Sequence, residues 1–451
     1  MTANPALARY ATRSVPRYTS YPTAPHFNDG VGPTTYSGWL ERLDPADAIS
    51  LYLHVPFCRQ LCWYCGCNMK LAAKDAPIAR YAQCLNREIA LIAARLPGRM
   101  TVGHLHWGGG TPTALAPDDL ERAMAAVAAR FDFAADAELA IESDPRTLTA
   151  EMIARIGRLG FTRASFGVQE FAPEVQAAIN RIQPPDMVKA SVDGLREAGV
   201  DGINFDLIYG LPKQTTDSLR RTIDLCVEMR PDRIALFGYA HVPWFAKKQR
   251  LIAEADLPGA AERLDQAQTA ANALVDAGYL RIGLDHFALP EDELAEAEAQ
   301  GTLRRNFQGY TTDAAETLLG FGASSIGRTP FGYFQNLTET GAWARSVEAG
   351  EPPIGRGRAF AGEDRLRSWV IEQLMCFGSV DLTLAGRRFG AKPDWWADAE
   401  LALADMRRDG LLTRNAARIA LTDAGKPYAR VVASAFDAYL APSPARHAVA
   451  V

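Results

Sequence analysis

The sequence predicts an α/β protein: a partial (β/α)6 barrel with an N-terminal arm and a mainly helical, winged-helix-like C-terminal domain. Three observations predict it. Six short β-rich runs alternate with amphipathic helical stretches between Leu51 and Tyr239, and repeated βα units of this kind imply parallel strands with helices packed outside. Before them, residues 1–47 carry Pro, Thr, Tyr and Arg with no helical or strand period, as in "SVPRYTSYPTAPHFNDG", and read as an extended arm. After about residue 350 the pattern turns mainly helical. The expected domains are 1–47, 48–350 and 351–451.

In chain order the expected strands are "LYLHV" (Leu51–Val55), "HLHW" (His104–Trp107), "LAIES" (Leu139–Ser143), "ASFGV" (Ala164–Val168), "INFDLIYG" (Ile203–Gly210) and "IALFGY" (Ile234–Tyr239). Stretches such as "YAQCLNREIALIAARL" and "DDLERAMAAVAARF" supply helices between them. Six strands are too few to complete an eight-stranded barrel, so an open or partial barrel is expected. Sites in such folds sit at the C-terminal ends of the strands, where a cysteine loop, "GGGTPT", Glu142, Gln169 and Asp206 all fall. Near the end, "AELALADMRRDGLLTRNAARIALTDAGK" reads as a helix, two short strands joined around Asn415, and another helix. Arg407, Arg408, Arg414 and Arg418 lie there among acidic residues. A domain that covers the site fits this unit better than one that binds DNA.

At 451 residues the chain exceeds one small core, and 48% apolar with 22% charged residues is the balance of a soluble globular protein. A net charge of -5 offers no global attraction to nucleic acid or a membrane surface. Any anion site must therefore be local. The N-terminus lacks the apolar core of a signal peptide, and no segment is long and apolar enough to span a bilayer. A cytoplasmic protein with reduced thiols is expected, so its seven cysteines point to metal or redox chemistry rather than disulfides. Cys84, Cys226 and Cys376 sit in helical patterns and read as small core residues.

The remaining four, Cys58, Cys62, Cys65 and Cys67, share "PFCRQLCWYCGCN". The first three are spaced C-x3-C-x2-C. Structural zinc usually draws four ligands from two separated pairs, and no second pair follows. His54 is a candidate fourth zinc ligand, although its alternating strand suits packing or orienting better. Three thiolates in one loop suit three corners of a [4Fe–4S] cube and leave the fourth iron open. Buried structural thiols are the third reading.

The spacing C-x3-C-x2-C is similar to the signature of the radical S-adenosylmethionine superfamily. The longer "YLHVPFCRQLCWYCGCN", with "PRYTSYPTA", "HWGGGTPT", "FDLIYGLPKQT", "GYAHVPW" and "RRNFQGYTT" in that order, resembles the oxygen-independent coproporphyrinogen III oxidase family over nearly the whole chain. The resemblance implies a barrel of the radical SAM type, with a [4Fe–4S] cluster on Cys58, Cys62 and Cys65 and S-adenosylmethionine on the open iron. It implies catalytic roles for Tyr52 and Cys67. It implies cofactor contacts at Tyr52, Tyr64, Gly109, Gly110, Thr111, Glu142, Gln169, Arg181, Asp206, Ala240, Gln308 and Ile326, with Gln308 facing a second S-adenosylmethionine molecule.

Read by their chemistry alone, these residues are consistent but less specific. Consecutive glycines let backbone approach a ligand closely and present N–H groups. Glu142 and Asp206 suit ribose hydroxyls or an amine, and Arg181 suits a carboxylate. Gln169 would pass for a strand-end polar residue, and Ala240 and Ile326 for core.

The implied reaction converts two propionate side chains of coproporphyrinogen III to vinyl groups by 5′-deoxyadenosyl radical hydrogen abstraction. It yields protoporphyrinogen IX for haem biosynthesis without O2. A flavodoxin- or ferredoxin-like protein would donate the electron, and the enzyme would be a monomer. The alternative is a related haem chaperone that keeps the cluster and decarboxylates nothing; such relatives usually lack Cys67 and the "RYTSYPT" arm. A substrate with four carboxylates needs local cations, for which Arg9, Arg13, Arg17, Lys247, Lys248, Arg250, Arg304 and Arg305 are candidates. The arm would fold over the site as a lid. Trp244 and the two lysines of "HVPWFAKKQRL" depart from some family members, so substrate-facing details there are not carried over.

Overall fold

In a computed structural model of the chain, residues 9–10 and 13–440 are described. All six expected strands are present: β1 (Ala48–Val55), β2 (Thr101–Gly109), β3 (Asp132–Ser143), β4 (Arg163–Gln169), β5 (Gly202–Tyr209) and β6 (Arg233–Gly238). They lie side by side in chain order, and every neighbouring pair is parallel. Antiparallel β7 (Leu280–Ile282) and β8 (His286–Ala288) extend the edge beyond β6. On the other side β9 (Leu318–Phe321) pairs parallel with β1, followed by β10 (Ile326–Thr329), β11 (Gly332–Asn336) and β12 (Ile354–Ala359). The result is one twelve-stranded mixed sheet, with β12 at one edge and β7 at the other.

Side-chain alternation divides this sheet chemically. Leu51, Leu53 and Val55 of β1, Leu105 and Trp107 of β2, and Phe166, Phe205 and Leu207 further round are buried in the main core. That core is completed by helices such as α2 (Ala76–Ala93), whose Ile78, Leu85, Ile89 and Ile92 form one buried stripe. The intervening positions carry polar groups. Cross-strand register sets Tyr52 beside His106, Glu142 beside Ser165 and Gly167 beside Asp206. Parallel sheets covered by helices on both faces read as continuous apolar runs. Here the second face is polar because it lines the interior.

One part of the arm differs from expectation. Pro33–Leu40 forms α1, inside a region read as lacking helical period. Pro33 stands at the helix start, where a missing N–H costs nothing, and Tyr36, Trp39 and Leu40 share its buried face. Two turns are too short for that spacing to repeat visibly. Elsewhere the arm is seated on the C-terminal part: Tyr10, Val15, Tyr18 and Tyr21 belong to the same core cluster as Leu366, Leu403 and Phe436. Tyr18 donates a 2.9 Å hydrogen bond to Asp437, and the Tyr21 hydroxyl accepts the Ala438 N–H at 3.0 Å.

The expected C-terminal pattern is also present. The helix Glu400–Arg408 leads into a hairpin of Leu412–Asn415 and Arg418–Leu421, completed as a three-stranded sheet by Ser379–Asp381. No helix among the described residues is long and apolar enough to cross a membrane.

A buried carboxylate ties the sheet to its covering helix. Glu88 of α2 accepts hydrogen bonds from the Gly322 N–H (2.7 Å), Asn336 Nδ2 (2.6 Å) and Trp343 Nε1 (3.1 Å). Burial nevertheless pushes its pKa up to about 7, against those hydrogen bonds. Glu88→Ala orphans three donors at roughly 1–3 kcal/mol each before relaxation. A clear fall in thermal midpoint is expected, with the largest loss among single changes on α2, measured by calorimetry.

Candidate active site

The cysteine loop leaves the end of β1 and is held by backbone at several points. The Gly110 N–H donates to the Val55 carbonyl at 2.8 Å and the Trp63 N–H to the Ile179 carbonyl at 3.0 Å, while Gln249 Nε2 donates to the Tyr64 carbonyl at 2.6 Å. Glycine is required where the loop passes β2. A Cβ on Gly110 would lie 2.8 Å from the Phe57 carbonyl oxygen, and one on Gly109, at φ +114°, 2.6 Å from the His54 ring.

The loop forms one wall of a cavity of about 880 Å3. Thirteen of the sixteen catalytic, cofactor-binding and cluster-ligand candidates line it: Cys58, Cys62, Cys65, Cys67, Tyr64, Gly109, Gly110, Thr111, Glu142, Gln169, Arg181, Asp206 and Ala240. Three do not. Tyr52 sits behind the lining, its hydroxyl 3.0 Å from His54 Nδ1 and its ring stacked with His106 at 5.9 Å. Ile326 opens β10, against Gly320. Gln308, at the tip of the hairpin Arg304–Asn306 and Gly309–Thr311, lines a second, adjoining cavity and the barrel interior.

Each sulfur of the C-x3-C-x2-C set receives a donor. Thr111 Oγ1 donates to Cys58 Sγ at 3.5 Å, Arg146 Nη2 and Arg181 Nη1 to Cys62 Sγ at 3.2 and 3.4 Å, and the Cys67 N–H to Cys65 Sγ at 3.4 Å. Such donors stabilise thiolate charge. The sulfurs are spread along the wall, and among the described residues no three His, Cys, Asp or Glu side chains close on a single ion. Donors spaced in this way fit a group that offers each sulfur its own metal.

Sequence reasoning missed Asp144 and Arg146. Arg146 grips Asp144 through both Nε (2.9 Å) and Nη2 (2.6 Å), and Arg181 Nη1 stands 3.5 Å from the same carboxylate. Burial pushes Asp144 up, but the two guanidinium groups hold it below the usual carboxylate range. The available signal was "ESDPR", a charged run directly after a strand. Gln249 was missed as well, since nothing in "KKQRL" marks a buried glutamine that binds the carbonyls of Tyr64 and Ala240.

The opposite wall is acidic. Glu142 accepts from the Gly109 N–H at 3.0 Å and lies 3.2 Å from His106 Nε2. Burial raises it, but these contacts prevail and hold it below its ordinary value. Gln169 ends β4 at φ +67°, a conformation costly for a side chain of this kind, and among the described residues its buried Oε1 has no hydrogen-bond partner. An orphaned acceptor on a cavity wall marks a ligand contact. Together with the crowded glycines and the two carboxylates, it fits a nucleoside bearing an amino-acid group.

Of the eight basic candidates, Arg9 pairs with Asp409, Arg13 lies over the Tyr10 ring at 5.3 Å and Arg304 pairs with Glu372 at 3.1 Å. Arg250 donates to the Pro243 carbonyl at 3.4 Å, Lys247 is exposed and Lys248 faces Cys65. Arg17 and Arg305 reach the second cavity.

Asp206 faces the cavity, and among the described residues none donates a hydrogen bond to it. Burial and the neighbouring Glu142 charge push it from 3.8 up to about 7. Between these values the folded chain keeps a proton that the unfolded chain has lost, so this contribution to stability is full below about pH 4 and declines as pH rises to about 7. Asp206→Asn is expected to flatten that decline in the ligand-free protein, read as urea midpoints across the same pH range.

Residues 52–226 match the radical SAM superfamily and residues 360–428 match the HemN C-terminal domain. The chain is 49% identical over 442 residues to an oxygen-independent coproporphyrinogen III oxidase from Bradyrhizobium diazoefficiens, covering 98% of each. It is 44% identical to the anaerobic coproporphyrinogen III oxidase 1 of Cereibacter sphaeroides, covering 95% of each. Among solved structures, coproporphyrinogen III oxidase (HemN) from Escherichia coli, a radical SAM enzyme, superposes with a TM-score of 0.90 at 38% identity, covering 95% of this chain and 100% of that one.

Proposed function

The chain belongs to the oxygen-independent coproporphyrinogen III oxidase family of the radical SAM superfamily, and from that premise we propose how its residues divide the work. The reaction is the O2-independent oxidative decarboxylation of two propionates of coproporphyrinogen III to vinyl groups, giving protoporphyrinogen IX in haem biosynthesis. The superfamily implies a [4Fe–4S] cluster and S-adenosylmethionine. When bound, these supply a one-electron reduction and the abstraction of a hydrogen atom from a propionate β-carbon.

Cys58, Cys62 and Cys65 would hold the cluster. Arg146, Arg181, Thr111 and the Cys67 N–H donate to their sulfurs, which lowers the cost of adding an electron nearby. Tyr64, Gly109, Gly110, Thr111, Glu142, Gln169, Arg181, Asp206 and Ala240 would bind S-adenosylmethionine. Tyr52 supports that site from behind its wall, and Ile326 would contribute an adenosyl contact. Tyr52 is thus a positioning residue, whose ring backs Gly108 and His106. Cys67 presents a thiol that holds no iron. The arm residues Val15, Pro16 and Arg17 line the same cavity, which supports a lid that limits water and O2.

The observation that carries the reading is one wall on which three thiols each receive a hydrogen bond, facing Glu142, Asp206 and an unsatisfied Gln169. The proposal further includes a second S-adenosylmethionine molecule reached by Gln308 from the barrel interior, which that residue also lines, a flavodoxin- or ferredoxin-like electron donor, a cytoplasmic monomer, and the domains 1–47, 48–350 and 351–451.

Anaerobic reconstitution with iron and sulfide, then assay with S-adenosylmethionine, reductant and coproporphyrinogen III, is expected to release two CO2 per substrate. The triple change of Cys58, Cys62 and Cys65 to Ala should abolish both iron binding and CO2 release. Cofactor cleavage with no CO2 would favour the chaperone reading instead. Equilibrium binding to the reconstituted protein should saturate at two S-adenosylmethionine molecules, falling toward one in Gln308→Ala; saturation at one in the unaltered protein removes the second site.

A further inference from the structure

Beside the cysteine-lined cavity lies a second one of about 510 Å3. Residues 237–240, Val242 and Trp244 border both, and Arg17 lines both. The second wall is cationic out of proportion to the chain. Arg17, Arg263, Arg281, Arg305 and Arg430 line it against one carboxylate, Asp285, in a protein of net charge -5. They arrive from separate segments: the arm, the helix Ala260–Asp276, β7, the hairpin strand Arg304–Asn306 and the short helix Ala429–Ala433. Convergence from five segments is not the accident of a charged run.

Asp285 brings one negative charge to this wall. Its Oδ1 lies 2.8 Å from His286 Nδ1 and 4.0 Å from Arg305 Nη1. Among the described residues Arg263 and Arg281 form no ion pair: Arg281 donates to the Leu284 carbonyl at 3.1 Å, and Arg263 lies over the Tyr209 ring at 5.8 Å. Among the described residues the buried Nε atoms of Arg281 and Arg305 have no hydrogen-bond partner. Burial and the charge of Arg17 push Arg430 down to about 10, and burial lowers Arg263 and Arg281 too. Like charges gathered out of water are costly unless an anion joins them. Between them run the apolar groups Phe237, Phe287, Phe307 and Leu236. The occupant this wall fits is a polyanion on a broad apolar body.

We propose that this cavity seats the propionate carboxylates that the reaction leaves in place, with the five arginines as their counter-charges and the shared wall as the passage to the reacting side chain. The inference rests on the functional reading above. Two of the substrate's four carboxylates survive, and these must be held while the others react. Firm guanidinium pairing stabilises a carboxylate in the ground state, which opposes loss of CO2. An arginine-rich cavity therefore suits the survivors, and the reacting propionate belongs across the shared wall.

The test uses full-length reconstituted enzyme carrying Arg263→Gln, Arg281→Gln or both, with Arg→Lys at each position as the conservative control. Coproporphyrin III, the oxidised tetra-acid, and its tetramethyl ester are titrated by fluorescence. Each Gln variant is expected to weaken acid binding about tenfold or more with ester binding unchanged, and Lys should restore most of it. KM for coproporphyrinogen III should rise in parallel, with kcat changed far less, because these contacts are equal in ground and transition states. Iron content reports folding. Acid binding unchanged in the double variant, or acid and ester weakened equally, overturns the proposal. Absence of CO2 release by the unaltered enzyme overturns the functional reading instead, and the porphyrin titration is read independently of it.

Discussion

The two faces of the parallel sheet are the constraint on which everything else rests. A strand alternates its side chains, so one face of β1 to β6 can be apolar while the other is polar. Leu53, Trp107, Ile141, Phe166 and Phe205 bind the helices to the sheet, and the same strands carry Tyr52, His106, Glu142 and Asp206 to the interior. A slip of one residue in any of these strands would exchange the two sets. It would bury the site's carboxylates under helices and turn the core into the cavity. Core and site are therefore specified by one pattern.

Polar groups placed in that interior have to be satisfied, and the way this is done prepares the site. Asp144 is held between Arg146 and Arg181, and both guanidinium groups also reach Cys62. The same two guanidinium groups thus pair with Asp144 and donate to the Cys62 sulfur. Glu142 is fixed by His106 and the Gly109 N–H. Among the described residues Asp206 and the Gln169 carbonyl, by contrast, are left without donors, and an incoming ligand is what would complete them.

Charge is distributed against the average of the molecule. The chain is acidic overall, yet arginines converge where the arm, the barrel and the C-terminal part meet. The seating of Tyr10, Tyr18 and Tyr21 in the C-terminal core is what carries Arg17 to both cavities. Arg17 of the arm and Arg430 of the C-terminal part thus line the second cavity together.

Much of this was legible in the sequence. The six strands, the C-terminal hairpin and the cysteine loop were readable because alternation, turn chemistry and thiol spacing are local properties. Thirteen of the chosen site residues reach the cavity because strand ends in a parallel barrel converge by topology. Helix α1 was not legible, since two turns cannot display a period. Asp144, Arg146 and Gln249 were hidden because their significance lies in partners at Arg181, Cys62 and Tyr64, far away in the chain. By itself the sequence determined the fold class, the order of strands and the spacing of the thiols, all of which depend on short-range pattern. Only the tertiary structure decided which charges meet. Of eight basic candidates it sent most to ion pairs, rings, carbonyls or solvent and two to the second cavity, joining them there with Arg263, Arg281 and Arg430. The reason is physical: electrostatic partnership depends on distance through space, and distance along the chain does not encode it.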